Sequence, residues 1–271
     1  MLKQRILTAL VLLPLMIGML FWANASLWAA FSGLIALLAL WEYARIIHMS
    51  PLQNTFYLLI TASAGILFYL QQPTFSAILL QVILQITSLL FWLLVVPLWL
   101  KYKWKIKSKF VGTIIGWVLM VPFWLALVNL RPDANSAWAL LAIMALVWIA
   151  DIAAYCCGRT MGKHKLAPTI SPNKSWEGAI GAVVFVAIYT FILQQQHWLS
   201  VALPLWQTLL IALILTIVSI VGDLLESWLK RAAGIKDSSQ LLPGHGGVFD
   251  RVDSMISVLS VYVALHWLAL L

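Results

Sequence analysis

Nine apolar runs divide the sequence, at 6–22, 26–40, 55–70, 77–100, 111–130, 136–150, 178–193, 201–221 and 255–271, with polar residues gathered between them. A helix needs about 20 mostly apolar residues to cross a bilayer, with about 17 to 25 the usual range. Each run therefore predicts a membrane-spanning helix. Together they predict an all-α, polytopic integral membrane bundle of about nine transmembrane helices, a single domain over 1–271. Within it, 1–130 is nearly all span, whereas 131–271 carries long polar segments between its spans. Only Ala23-Asn24-Ala25 separates the first two runs. A single helix over 6–40 would be about 52 Å long against a hydrocarbon core of about 30 Å, so a tight hairpin of two spans fits better. The same segment, with Lys3 and Arg5 ahead of it, also resembles a signal peptide with a small-residue cleavage site. Its apolar stretch is long for that role, and another apolar run follows at once.

Composition agrees with this pattern. The chain is 63% hydrophobic and 10% charged, with a mean hydropathy of +0.97. An ordinary soluble domain is about 25% charged, and its exterior must be solvated, so a soluble enzyme is excluded. Disorder, which requires few apolar residues, is excluded as well. Fifteen Trp, seven Tyr and eleven Phe add rings that favour membrane interfaces.

The net charge of +8 then has to be placed. With a cytoplasmic N-terminus, nine spans put every one of the 17 basic residues except Arg131 on the cytoplasmic face. The nine acids follow the same rule, with Asp133 the exception. This is a strong positive-inside bias, and fusing the first two spans destroys it. The expected location is a cytoplasmic (inner) membrane, with the polar segments facing the cytoplasm.

Three of those segments carry candidate chemistry. Lys101, Lys103, Lys105, Lys107 and Lys109 alternate mostly with aromatic or aliphatic residues. They suit a topogenic connector drawn to anionic headgroups, or attraction of an anionic lipid substrate. No compact basic domain accompanies them, so nucleic acid is not an expected partner. From Asp151 to Gly178 the chain combines small residues, Pro172, hydroxyls and amines, a composition suited to phosphate. Gly162-Lys163 lacks the spacing and following hydroxyl of a phosphate loop. Adjacent Cys156 and Cys157 support neither a disulfide nor a metal site.

The third segment, 222–253, holds five of the nine acids. Asp223, Glu226, Ser227 and Lys230 fall at i, i+3, i+4 and i+7, a polar stripe on one helical face. Asp250 and Asp253, three apart, share a helical face at the mouth of the last span. Carboxylates this close repel unless a cation lies between them, and oxygen donors suit Mg²⁺. The competing reading is an ion-pair network in which Lys230, Arg231 and Arg251 neutralise Asp223, Asp250 and Asp253. Ionisable groups at membrane depth are costly and point to function. Gly246-Gly247 permits the close backbone approach that phosphate binding uses.

Ser227-Trp-Leu-Lys230-Arg231, Lys236-Asp237 and Pro243-Gly-His245-Gly-Gly-Val-Phe-Asp250-Arg251-Val-Asp253 resemble, at this spacing, the signature of phosphatidate cytidylyltransferases, also called CDP-diacylglycerol synthases. Gly222-Asp223-Leu-Leu-Glu226-Ser227, Gly162-Lys163-His164-Lys165-Leu-Ala-Pro168 and Ser171-Pro172-Asn173-Lys174-Ser175-Trp176 also look like family segments, so the resemblance covers about the C-terminal half. It implies that phosphatidic acid and CTP give CDP-diacylglycerol and pyrophosphate, with Mg²⁺ required and a monovalent cation such as K⁺ as a possible second ion. It implies Asp223 and Asp250 as metal ligands first, then Asp253. Lys230, Arg231, Lys236 and Arg251 would join the two aspartates in the catalytic set by holding phosphate oxygens. Asn173, Lys174, Ser175, Ser227, Asp237, His245, Gly246 and Gly247 would form the substrate-binding set. A bundle open sideways to lipid, often a homodimer, is the implied architecture. The rivals are a CTP-dependent polyprenol or phytol kinase, which would release CDP, and an ion-coupled transporter, which would place its acids within opposing spans.

Overall fold

The computed structural model describes residues 2–196 and 203–268, with side chains described from residue 6 onward within those segments. The side chains of Lys3 and Arg5, and the run ends at Val201 and Leu271, lie outside the described residues. Nine helices are present among the described residues: α1 (Leu2–Trp22), α2 (Ala25–Ile46), α3 (Pro51–Leu70), α4 (Phe75–Tyr102), α5 (Lys109–Leu130), α6 (Ala137–Met161), α7 (Trp176–Gln195), α8 (Leu205–Ala232) and α9 (Phe249–Trp267). Helix α4 contains a π turn over Phe91–Val95 just before Pro97. Six helices, α2 and α4–α8, are long and apolar enough to cross a membrane. The apolar part of α1, Ile6–Trp22, is shorter, and α3 and α9 carry more polar residues.

Two helices run well past the apolar runs that predict them. Helix α6 continues to Met161 and α8 to Ala232, so Asp151 rides on a helix and the stripe from Asp223 to Lys230 is helical, as its spacing predicts. Between α6 and α7 the chain departs from the all-α expectation. Strands β1 (Lys165–Ala167) and β2 (Ser171–Ser175) pair antiparallel, with Lys165 opposite Ser175 and Ala167 opposite Ser171. Pro168 and Pro172 are incompatible with a helix interior here, and the Ile170 N–H closes the turn on Ala167 O at 3.1 Å.

Helix α9 is the axis of the core. Residues Ser254 through Val261 are all buried, and α9 packs against α8, α5, α4, α2 and α6. Its contact with α8 is made by small residues and hydroxyls. Ser254 Oγ donates to Ser219 O (3.2 Å) and Ser257 Oγ to Val218 O (3.0 Å). Gly222 of α8 is so close that a Cβ there would collide with Ser257 Oγ. In lipid, where tails are as apolar as side chains, such close backbone approach is what holds helices together.

One end of the bundle carries the charged segments around 159–177 and 230–253, and long-range hydrogen bonds tie this polar end together. Thr8 Oγ1 donates to Pro243 O (2.9 Å), Tyr43 Oη to Gly112 O (2.9 Å) and Trp228 Nε1 to Trp104 O (2.7 Å). Arg131 lies at the other end and is fully buried. Its Nε donates to Leu20 O (2.8 Å) and its Nη2 to Ala23 O (2.5 Å), and its guanidinium lies 5.3 Å from the Trp28 ring centroid. The one base that breaks the charge rule is thus a cap on the last carbonyls of α1. Asn24 explains the tight hairpin: its side chain accepts from the Leu27 N–H (2.8 Å) and caps α2.

Candidate active site

The close approach of α8 and α9 brings their acids together. Oxygens of Asp223, Glu226 and Asp253 all lie within 4.8 Å of one another. The spacing has a simple origin. Asp223 and Glu226 are three apart on α8, and Gly222 lets the first turns of α9 come in beside them. The cluster's two α8 members lie six and nine residues from the C-terminal end of that helix, about 9 to 14 Å down the axis. Three carboxylates crowded at that depth need compensating charge.

Two lysines supply part of it. Lys174 reaches from β2, and its Nζ lies 2.5 Å from Asp223 Oδ2. The β hairpin is fixed for this purpose. Ser175 Oγ accepts from the Gly178 N–H (3.2 Å) and caps α7, the Trp176 N–H donates to His164 O (2.9 Å), and Glu177 Oε1 meets His164 Nδ1 at 2.6 Å. Lys230, one turn beyond Glu226, forms ion pairs with Glu226 Oε1 (2.7 Å) and Asp250 Oδ1 (2.8 Å), donates a hydrogen bond to the latter, and is only 12% exposed. Asp253 Oδ1 accepts from the Ser254 N–H (2.7 Å), and no basic side chain pairs with Asp253 among the described residues. The cluster therefore offers hard oxygen donors with excess negative charge, a donor set that suits Mg²⁺.

Asp250 is placed differently from the other acids. Besides Lys230, it accepts from the Ser238 N–H (3.0 Å to Oδ2) and the Gly247 N–H (2.8 Å). It bridges the 238–247 loop to Lys230 and stands beside the three-carboxylate group. Part of the ion-pair alternative is realised here, in Lys230–Asp250, while Asp223 pairs with Lys174, a base outside that alternative. Arg231 and Arg251 do not join it: Arg231 Nη1 donates to Ile235 O (3.2 Å) and Arg251 Nε to His245 O (2.9 Å), and both side chains are exposed. Lys236 and Asp237 occupy exposed loop positions, and Asn173 is exposed on β2. Ser227 Oγ donates to Asp223 Oδ1 (3.3 Å). His245 is half-buried, and its backbone N–H donates to Leu242 O (2.8 Å).

The glycine pair has an internal explanation. Gly246 sits at φ +84°, and a Cβ there would lie 2.7 Å from Asp250 Oδ2. A Cβ on Gly247 would collide with Ser238 Oγ and would lie 2.5 Å and 2.6 Å from the two carboxylate oxygens of Glu42. Close approach is needed at both positions, and protein side chains make it: Asp250 at Gly246, Ser238 and Glu42 at Gly247.

Comparison with known proteins gives the arrangement its family. Residues 3–269 match the model of the cytidylyltransferase family. The chain belongs to that family. A protein of Pseudomonas aeruginosa named phosphatidate cytidylyltransferase is 40% identical over 275 residues, covering 99% of this chain and 98% of its own length. One of the same name from Haemophilus influenzae is 32% identical over 292 residues and covers both chains in full. A third, from Brucella suis, is 46% identical over 134 residues, 49% of this chain and 48% of its own. The full-length similarity extends the family resemblance into the N-terminal half.

Three acids absent from the candidate set on sequence grounds belong to this region of the cytidylyltransferase fold. Glu226 completes the carboxylate cluster. Asp151 of α6 is near enough to Asp223 and Lys174 to feel both charges. Glu42 of α2 binds the loop that carries the glycine pair. The signal that finds Asp151 and Glu42 is their isolation: each is a lone acid at the edge of an apolar run.

Proposed function

We propose that this chain is a Mg²⁺-dependent phosphatidate cytidylyltransferase. The phosphate oxygen of phosphatidic acid attacks the α-phosphorus of CTP, the bond from that phosphorus to the bridging oxygen of the β-phosphate breaks, and CDP-diacylglycerol and pyrophosphate leave. The observation that carries this reading is the Asp223–Glu226–Asp253 cluster with Lys174 and Lys230 beside it, in a chain whose full-length relatives bear that name.

The nucleophile is already anionic, so no side chain has to remove a proton. The obstacle is bringing one anion against another, and catalysis is mainly positioning and charge neutralisation. Asp223, Glu226 and Asp253 would hold the divalent ion, which supplies Lewis acidity toward triphosphate oxygens and a template for them. Lys174, 23% exposed, carries a positive charge at the cluster for a phosphate group. Lys230 neutralises Glu226 and Asp250 and keeps them in register. The exposed Arg231, Lys236 and Arg251 flank the same end of the bundle and suit the outer phosphates or the lipid headgroup.

We read the polar end of the bundle as cytoplasmic, with nine spans, an N-terminus inside and the inner membrane as location. The charge distribution supports this, as does the contact of Thr8 near the N-terminus with Pro243 of the loop. Cytosolic CTP and the inner-leaflet headgroup would then meet at one face. Incubating purified protein with phosphatidic acid, CTP and Mg²⁺ tests the reaction. CDP-diacylglycerol and pyrophosphate in equal amounts are expected. A phosphorylated lipid alcohol with CDP and no pyrophosphate would overturn the reading in favour of a lipid kinase.

A further inference from the structure

Glu42 stands at the polar end of α2, fully buried, and no lysine or arginine pairs with it among the described residues. An uncompensated buried carboxylate is costly, so the donors around it are informative. There are four, all from residues 238–249. Oε1 accepts from Ser239 Oγ (2.5 Å) and the Val248 N–H (3.0 Å), and Oε2 from Ser238 Oγ (3.0 Å) and the Phe249 N–H (2.6 Å). Val248 is the cap position of α9, and its own apolar side chain cannot cap it. Glu42 therefore caps α9 from another helix, with its negative charge at the positive end of the helix dipole. Gly247 leaves the space that this carboxylate and the Ser238 hydroxyl bonded to it fill.

Asp250 holds the same loop from within α9, through the Ser238 and Gly247 N–H groups, and passes the constraint to Lys230 and Glu226. We infer that Glu42 is a positioning residue for cytidylyl transfer. It fixes the first turn of α9 against α8, so that Asp253 meets Asp223 and Glu226 while Asp250 meets Lys230. The inference rests on reading that carboxylate cluster as the reaction centre.

The test uses full-length protein in lipid nanodiscs and two readouts, amide hydrogen exchange and steady-state kinetics. Glu42→Gln keeps the size of the side chain but turns one acceptor into a donor facing donors. The expected result is faster exchange at Ser238 and Gly247–Phe249 with unchanged exchange in α5. The kcat should fall by roughly ten- to a hundredfold, as when groups orienting metal ligands are lost, and the Mg²⁺ concentration for half-maximal rate should rise. The KM for CTP should change less than about threefold. Gly247→Ala should reproduce the exchange effect, and combining the two should add little, because both displace the same contact. Ser238→Ala with Ser239→Ala removes two donors while leaving the charge, and should shift kcat and Mg²⁺ dependence in the same direction by less. That pair decides the question if Glu42→Gln does not fold. A loosened loop with unchanged kcat and Mg²⁺ dependence would overturn the positioning role, as would exchange unchanged from the parent protein. If the parent protein makes no CDP-diacylglycerol, the functional reading fails on its own, and the exchange arm still reports whether Glu42 holds the loop.

Discussion

Asp223→Asn is expected to remove Mg²⁺-dependent CDP-diacylglycerol formation, by at least about a hundredfold, the scale on which charge-stabilising groups at reaction centres act. The loss should not come from unfolding. The Asp223 side chain is 31% exposed, and it lies among carboxylates that repel it. Removing its charge relieves that repulsion and gives up a part-exposed ion pair to Lys174 worth about 1 kcal/mol or less, so without added metal the melting temperature should stay near that of the parent. A ligand that binds only the folded state stabilises it, so Mg²⁺ should raise the melting temperature of the parent protein and do so less in the variant. Loss of activity, retained stability and a smaller Mg²⁺ shift together assign Asp223 to the cation. Near-normal turnover would remove it from the site.

The second large effect is on stability. Lys230 is 12% exposed and lies between Glu226 and Asp250, whose side chains are 3% and 5% exposed. Lys230→Met leaves two buried carboxylates facing each other with no counter-charge. Breaking a buried pair by removing one partner costs about 3–5 kcal/mol. Thermal unfolding in detergent should show a large drop, and activity should fall with it. Adding Asp250→Asn to Lys230→Met removes one of the stranded charges and should recover part of the stability, without restoring turnover. A melting temperature for Lys230→Met equal to that of the parent would show that the pair is not the internal tie described here.

Much of the bundle is legible from hydrophobic periodicity. The tight turn at Ala23-Asn24-Ala25, the run at 111–130 and the polar stripe from Asp223 to Lys230 all appear in the structure where the pattern puts them. Helix ends are less legible. Helices α6 and α8 keep their hydrogen bonding past the apolar runs, and nothing in hydropathy marks the point where a helix leaves the membrane. The β hairpin is invisible to a span-length criterion, although Pro168 and Pro172 already exclude helix there.

At the site, sequence spacing reports only what one helix or loop brings together. The signature residues Asp223, Lys230, Asp250 and Asp253 do converge. Lys174 on Asp223 and Glu42 on Phe249 depend on how separate elements pack, the latter across a sequence separation of 207 residues. Glycine is ambiguous for a related reason. Gly246-Gly247 announces that something comes close to the backbone, and the phosphate expectation follows from that alone. The packing brings Asp250, Glu42 and Ser238 to these positions. Asp250 also looks equivalent to Asp253 from spacing, whereas three hydrogen-bond partners commit it to the loop and Lys230.

The central claim is transfer of the cytidylyl group from CTP to a lipid phosphate at these carboxylates. Its most direct measurement follows two labels, one on the α-phosphorus of CTP and one on the γ-phosphorus, with phosphatidic acid in nanodiscs holding the purified protein. The account predicts that the α label enters the lipid phase and the γ label appears in pyrophosphate, that both stop on chelation, and that Mg²⁺ restores both. The γ label entering lipid while the α label stays in water, or transfer that persists after complete chelation, would contradict it.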